Sequence, residues 1–308
     1  MVYTDYLDEA FVQLYEEGVC VIPDVLSDDK CNKYIDDIWT WLEGIGTGIK
    51  RDDKSTWTSE NWPMNIHGIV EFPSASHENF VWSLRQHENI IDIFAKLWND
   101  KDLLVSFDRI CIMRASYGKN VKSTSWYHTD EGTSKRDIST IQGFVNLETT
   151  DKNDGALMVI AGSHKYHKQF FEEHKIECKK DWYKINEDEF KWFESKGLST
   201  KKIVAPKGSV VLWKSTLFHC NCPPTKDQEK DRFRYVVYLS YLPRKYCDKK
   251  QLEKKQQAFL NSRSTSHNSV KITLFPKTPR TYGKDISKYK VQTKLPELTD
   301  VGKRLAGF

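Results

Sequence analysis

The chain has no apolar run approaching the ~20 residues that a membrane helix requires, so nothing in it reads as a spanning segment. It has no C-x-x-C pair. Its seven cysteines are odd in number and scattered, and the one close pair is Cys220 and Cys222. A cysteine zinc site therefore finds no support, and reduced, mostly buried thiols are the plain reading. A dense basic stripe is also missing. The net charge is +4, and the lysine pairs at Lys179-Lys180, Lys201-Lys202, Lys249-Lys250 and Lys254-Lys255 are interleaved with acids. Such spacing describes solvated faces and not a nucleic-acid footprint. Internal repeats are absent, as is a basic-then-apolar leader at Met1-Val2-Tyr3-Thr4-Asp5-Tyr6. A cytoplasmic protein is expected. Leu305-Ala306-Gly307-Phe308 is not a recognisable peroxisomal address, although import through a less obvious signal stays open.

What the chain does have is length and pattern. With 308 residues, 39% hydrophobic and 29% charged, it can bury a substantial core. Most of its ten tryptophans sit in apolar patterns such as Ile38-Trp39-Thr40-Trp41-Leu42, which suits packing. Helices are expected at 6–17, 28–43, 88–99, 166–174, 187–196 and 248–262. Ser27-Asp28-Asp29-Lys30 supplies an N-cap for the second. Strands are expected at 103–115, 138–149, 156–160, 202–205, 209–214 and 232–242. Residues 44–78 carry no sustained period and read as a long, functional loop. This order lacks the strand–helix–strand alternation of a parallel sheet. It argues for a mainly β fold with flanking helices. The expected organisation is a single domain over 1–262, with N-terminal helices over 1–100 and a β core over 101–247. A helical insert lies at 165–200, and a C-terminal extension, 263–308, packs on the domain.

The chemistry is carried by His128-Thr129-Asp130 and by His219. In an extended segment, side chains at i and i+2 point the same way, so His128 and Asp130 reach one centre while Thr129 points elsewhere. Pro206-Lys207-Gly208 followed by Ser209-Val210-Val211-Leu212-Trp213 is a turn and a short strand delivering His219 at its end. Two histidines and one carboxylate can hold one face of a ferrous ion and leave the other face open. Taken alone, His-x-Asp reads more readily as a solvent-facing turn. Arg232-Phe233-Arg234-Tyr235-Val236-Val237 is strongly β-prone and puts both arginines on one strand face, where either fork could hold a carboxylate. His164, His167, His174 and Glu173 could be drawn as a second metal site, but an amphipathic, exposed helix is the plainer reading.

With these residues the chain resembles the phytanoyl-CoA dioxygenase-like (PhyH) family of Fe(II)/2-oxoglutarate-dependent oxygenases. The resemblance runs over roughly 8–245. It rests on Glu17-Gly18-Val19-Cys20-Val21-Ile22-Pro23-Asp24, Trp126-Tyr127-His128-Thr129-Asp130, Asp154-Gly155-Ala156-Leu157, and His219 with Phe233-Arg234. It implies a double-stranded β-helix, the cupin-like jelly roll. It implies Fe(II) on His128, Asp130 and His219, with 2-oxoglutarate and O2 as cosubstrates. Arg234, rather than Arg232, is expected to take the distal carboxylate, with Gln142 and Asn146 as further cofactor-binding residues. The loop from Cys220 to Phe233 is longer than the family pattern. Asp130 favours hydroxylation, desaturation or ring closure over halogenation.

The expected substrate is a small, carboxylate-bearing metabolite of a natural-product pathway, oxidised at an unactivated C–H bond. Arg109, Arg114, Trp126 and Tyr127 are its candidate contacts. The two arginines read equally well as ion pairs with Asp108 or Glu148. An acyl-CoA hydroxylase is the alternative. A protein hydroxylase or a catalytically silent binding protein of the same fold is the second alternative. A monomer is expected, with no nucleic-acid or membrane partner.

Overall fold

The computed structural model describes residues 2–72, 74–114, 126–228, 232–278, 281, 283, 285–291 and 294–308. Ala115 of the expected strand 103–115 and residues 229–231 of the loop before Arg234 lie outside them, as do parts of the 263–308 extension. The chain forms two compact units that alternate along it. One comprises Met1–Val25 and Met113–Arg234, and the other Leu26–Ile112 and Tyr235–Phe308. The extension 263–308 thus belongs to the second unit. No helix among the described residues is long and apolar enough to cross a membrane.

The first unit is built on two antiparallel layers. In one, Val19–Ile22 pairs with Ser209–Lys214, which pairs with Ile141–Asn146; Leu212 stands between Cys20 and Gly143. In the other, Thr200–Lys202, Ala156–Ile160, His219–Cys222, His128–Thr129 and Tyr183–Lys184 run in that order. The inner faces meet: the Trp213 ring of the first layer lies 5.6 Å from the His219 ring of the second. The helical insert forms as His167–Glu173 and Glu187–Ser195. Asn186 caps the second helix, accepting from the Glu189 amide at 3.0 Å while Glu189 Oε2 accepts from the Asn186 amide at 2.8 Å. The insert buries Phe170 and Phe193 in stacked contact at 5.2 Å, with Phe218 4.7 Å from Phe193. An apolar strand face with an aromatic lid anchors the outer side of the His219 strand.

The second unit holds the helices Asp28–Gly44, Asn79–Arg85, Glu88–Trp98, Lys249–Leu260 and Asp300–Ala306. Ser27 caps the first as its sequence foretold, accepting from the Lys30 amide. The stripe Cys31, Tyr34, Ile35, Ile38, Trp39 and Leu42 is buried at helical spacing. The expected strand 103–115 is instead Leu103–Val105 and Ile110–Met113. The break comes where other groups claim the backbone: Thr265 Oγ1 accepts from the Phe107 amide at 3.0 Å, and the Arg85 guanidinium donates to the Asp108 carbonyl at 2.8 Å. Likewise 232–242 divides at Ser240 into Arg234–Leu239 and Tyr241–Pro243, and 202–205 moves to Thr200–Lys202. The long loop 44–78 contains a two-residue hairpin, Asn65–Ile66 with Ile69–Val70.

Lys255 is wholly buried in this unit. Its ammonium donates to the Val105 carbonyl and stands 4.1 Å from the Phe107 ring centroid. Burial pushes its pKa down to about 7, against an upward pull from Cys247 and with smaller repulsions from Arg85 and Arg244. The folded state therefore binds fewer protons than the unfolded chain between about pH 7 and 10.5, and stability rises with pH across that window. Lys255→Met is expected to stabilise the fold at pH 7 by roughly 1–4 kcal/mol. The gain should shrink towards pH 10.5. Denaturant melts at both ends of the window check this, and an equal gain at both would contradict it.

Candidate metal centre

His128 and His219 stand opposite each other in register on adjacent strands. Both histidines, Asp130, Gln142, Ser215 and Arg234 belong to the first unit. The His128 Nδ1 faces the Trp126 carbonyl at 3.2 Å, and the His219 Nδ1 faces the Leu217 carbonyl at 2.8 Å. A carbonyl accepts only from a protonated nitrogen. These bonds therefore assign the hydrogen to Nδ1 and leave each Nε2 lone pair turned to the centre. Nε2 of His128 lies 3.6 Å from Asp130 Oδ1, and Nε2 of His219 lies 3.3 Å from Asp130 Oδ2. The three donor atoms all fall within 4.8 Å of one another. Donors about 2.1 Å from a shared ion and at right angles to each other stand about 3 Å apart. The cluster therefore fits one face of a small divalent cation.

Asp130 is held from both sides. Its amide donates to the Ser215 carbonyl at 3.0 Å, and its Oδ2 accepts from Gln142 Nε2 at 2.9 Å. Gln142 also donates to Ser215 Oγ at 3.1 Å, which fixes its amide. Gln142 thus orients the carboxylate. A group bonded to a metal ligand in this way typically tunes affinity. Gln142→Leu should keep the fold and weaken iron binding about 10–100-fold. Metal titration followed by tryptophan fluorescence measures this, and an unchanged affinity would remove Gln142 from the centre.

Arg234 is 3% exposed. Its Nη1 donates to Asn221 Oδ1 at 3.0 Å, and its guanidinium lies 5.0 Å from the Phe144 ring centroid. The positions of these partners are informative. Asn221 is two residues beyond His219 on one strand, and Phe144 is two beyond Gln142 on another. Residues at i and i+2 share a face and stand about 6.5–7 Å apart along a strand. Two independent strands therefore put Arg234 one such step from the triad, on the same inner face. Arg232 is spent elsewhere: its Nε pairs with Asp154 at 3.0 Å and its Nη2 with Asp151 at 3.3 Å.

The other expected contacts divide. Trp126 belongs to the centre, stacked on His128 at 4.8 Å and 14°, with its indole donating to the Asn221 carbonyl. Tyr127 does not. It stacks on Phe190 at 5.5 Å in the apolar cluster beneath the helical insert, because alternation turns it to the opposite face. Asn146 is also corrected. Its amide donates to the carbonyls of Ala205 and Pro206, and its Oδ1 accepts from Thr150. Arg109 lies in the second unit, ion-paired with Glu71 and 4.3 Å from the Phe275 ring. Arg114 is half-buried just after Ile110–Met113. His164, His167 and His174 each face a backbone carbonyl and form no cluster. Cys220 is buried against the insert, its thiol pushed up to about 12 by burial.

Sequence reasoning missed Ser215, Asn221 and Trp182. Trp182 is 52% exposed, and its ring lies 5.8 Å from that of His128. Its φ of 88° is an unusual backbone for a bulky residue. The preceding segment is tied to the loop after Asp130. The Thr133 amide donates to the Cys178 carbonyl at 2.8 Å, and Arg136 pairs with Asp181 at 2.6 Å. Gly132 is required there, since a Cβ would meet the Cys178 carbonyl at 2.3 Å.

A double-layered β fold with a His-x-Asp…His cluster on its inner face defines the cupin-like jelly-roll class. A family model for phytanoyl-CoA dioxygenase (PhyH) matches residues 14–220. The Ava biosynthesis cluster protein O of Aspergillus versicolor is 33% identical over 276 residues, 86% of each chain. Among solved structures, the fold is shared with the non-heme alpha ketoglutarate dependent carbocyclase SnoK from nogalamycin biosynthesis. The TM-score is 0.56 at 17% identity, covering 79% of this chain and 87% of that one. It is also shared with EctD from S. alaskensis, solved with 2-oxoglutarate and 5-hydroxyectoine, at TM-score 0.52 and 14% identity over 78% and 77%. The chain belongs to the phytanoyl-CoA dioxygenase (PhyH) family of Fe(II)/2-oxoglutarate-dependent oxygenases.

Proposed function

We propose that this protein oxidises an unactivated C–H bond of a small biosynthetic metabolite. In this reading His128, Asp130 and His219 hold the iron, and Arg234 holds the distal carboxylate of 2-oxoglutarate. The observation that carries it is the convergence of the triad and Arg234 on one inner face, one strand step apart. Iron and 2-oxoglutarate, when bound, supply the oxidising chemistry with O2. The chain's own residues supply the rest. The carbonyls of Trp126 and Leu217 keep both imidazoles in the ligating tautomer. Gln142 turns the Asp130 carboxylate inward. Phe144 and Asn221 pre-set the Arg234 fork, so little rotamer entropy is lost when a carboxylate docks. Trp126 covers one side of His128 and excludes water there. The half-exposed Trp182 leaves an apolar surface beside His128, suited to a substrate body.

A biosynthetic substrate is favoured by the relative that is 33% identical, which is named for a biosynthesis cluster. An acyl-CoA hydroxylase is the second reading, favoured by the family's own name. The test is a screen of secondary-metabolite precursors and acyl-CoA thioesters, scored by iron-dependent succinate release above the substrate-free rate. Stimulation by a precursor supports the first reading, and stimulation by a thioester alone the second. No succinate release even without substrate would overturn both.

A further inference from the structure

The strand Tyr183–Lys184 is the outer member of the layer that carries His128. Its register sets Lys184 directly opposite His128 and Tyr183 opposite Thr129. Directly opposite residues of an antiparallel pair send their side chains to the same face. Lys184 therefore leaves its strand on the face that His128 turns to the metal centre. Ring contacts check the assignment. Trp182, two residues before Lys184, lies on that face, its ring 5.8 Å from that of His128. Tyr183, between them, faces the other way, 5.4 Å from Phe171 and 6.1 Å from Phe170 in the helical insert. The Ile185 amide donates to the Tyr127 carbonyl at 3.0 Å, which makes those two a hydrogen-bonded pair. The next pair along, His128 and Lys184, is then of the non-hydrogen-bonded kind, in which Cα atoms approach to about 4.5 Å and side chains are closer.

Lys184 is exposed, and its ammonium makes no hydrogen bond or ion pair among the described residues. The acids nearest it in sequence are committed elsewhere. Asp181 pairs with Arg136 at 2.6 Å, and Glu187 and Asp188 lie 4.0 and 3.4 Å from the Lys191 ammonium. An unpaired ammonium and a half-exposed indole thus share the outer edge of the metal-bearing face. A single ammonium matches a single negative charge, that of a carboxylate at pH 7. The indole suits a flat apolar body. We infer that Lys184 and Trp182 select the substrate: a metabolite whose carboxylate is held by the Lys184 ammonium and whose flat apolar body rests on Trp182. The inference rests on the oxygenase reading above and names the substrate class of that same site. Two such contacts fix which carbon is presented to the centre. Arg109, the residue expected in this role, is paired with Glu71 in the other unit.

The probes are 3-phenylpropanoate and its neutral amide, 3-phenylpropanamide. Each is titrated to about 10 mM into the full chain with Fe(II) and saturating 2-oxoglutarate in the absence of oxygen, followed by calorimetry and ligand-observed NMR. Saturating 2-oxoglutarate keeps the acid off Arg234. The acid should bind about fivefold or more tightly than the amide. Lys184→Met keeps the apolar stem and removes the charge, so it should abolish that preference, and Lys184→Arg should keep it. Trp182→Ala should weaken both probes alike. A lysine on an outer strand can also serve only to discourage edge-to-edge pairing, and that role produces none of these differences. Equal binding of the two probes, a preference undiminished in Lys184→Met or lost in Lys184→Arg, affinities unchanged in Trp182→Ala, or no binding of either probe would overturn the inference. Succinate release by the wild type in air, without probe, judges the oxygenase reading by itself. Succinate release with equal probe binding overturns this inference alone; the preference without succinate release overturns the oxygenase reading alone.

Discussion

Replacing His219 with alanine is expected to remove iron binding and drop 2-oxoglutarate turnover by about 10³-fold or more. The expectation follows from what His219 supplies. Its Nε2 is one of only two imidazole donors in the cluster, aimed by the Leu217 carbonyl and 3.3 Å from Asp130. Loss of one donor from a three-residue face leaves two, which hold a divalent ion poorly against water. The fold should survive. The strand is paired through its backbone to Val159 and His128, and its outer anchor is the Phe218 contact with Phe193, which the substitution does not touch. Metal content of the purified variant, succinate release and a thermal melt together decide the matter. A variant that keeps one equivalent of iron and wild-type turnover would show that His219 is no ligand.

How much of this was legible in the chain depends on the range of the interaction concerned. Period-two alternation is local, and it placed His128 and Asp130 together on one face. The same rule puts Trp126 on that face and Tyr127 on the other, as the stacking partners of each demonstrate. The alternation that brings His128 and Asp130 together therefore separates Trp126 from Tyr127, and only Trp126 can share their face. Asn146 obeys the alternation with Gln142 and Phe144, yet the Ala205 and Pro206 carbonyls claim its amide, and that is a tertiary fact no strand pattern carries. Trp182 was out of reach for a similar reason. It comes to His128 only because Cys178 and Asp181 are fastened to the loop 132–136, through single hydrogen bonds and an ion pair far apart in sequence. The helix Asn79–Arg85 has no side-chain cap to announce it, since Glu78 at its N-cap makes no capping bond. Lys255 lies in a strongly charged helix, where nothing local says that this one lysine is the buried one.

Substitution of Arg234 by lysine is the stricter test of the reaction, because it separates cosubstrate from metal. Arg234 presents a planar fork held by Asn221 and Phe144, and a lysine ammonium reproduces neither its two parallel donors nor its stacking. Truncating one partner of a desolvated charge pair costs about 2–5 kcal/mol, so the Michaelis constant for 2-oxoglutarate should rise by roughly 30-fold to several thousand-fold. Iron affinity without cosubstrate should change little, since no triad atom touches the guanidinium directly in the contacts described above. Arg232→Ala is the matched control. Its guanidinium is committed to Asp154 and Asp151, so the cosubstrate dependence should stay as in the wild type while the melting temperature falls slightly. If instead Arg232→Ala raises the Michaelis constant and Arg234→Lys leaves it alone, the anchor has been assigned to the wrong arginine. If neither variant moves it, the distal carboxylate is bound elsewhere, and the one-step spacing between the triad and Arg234 loses its chemical meaning.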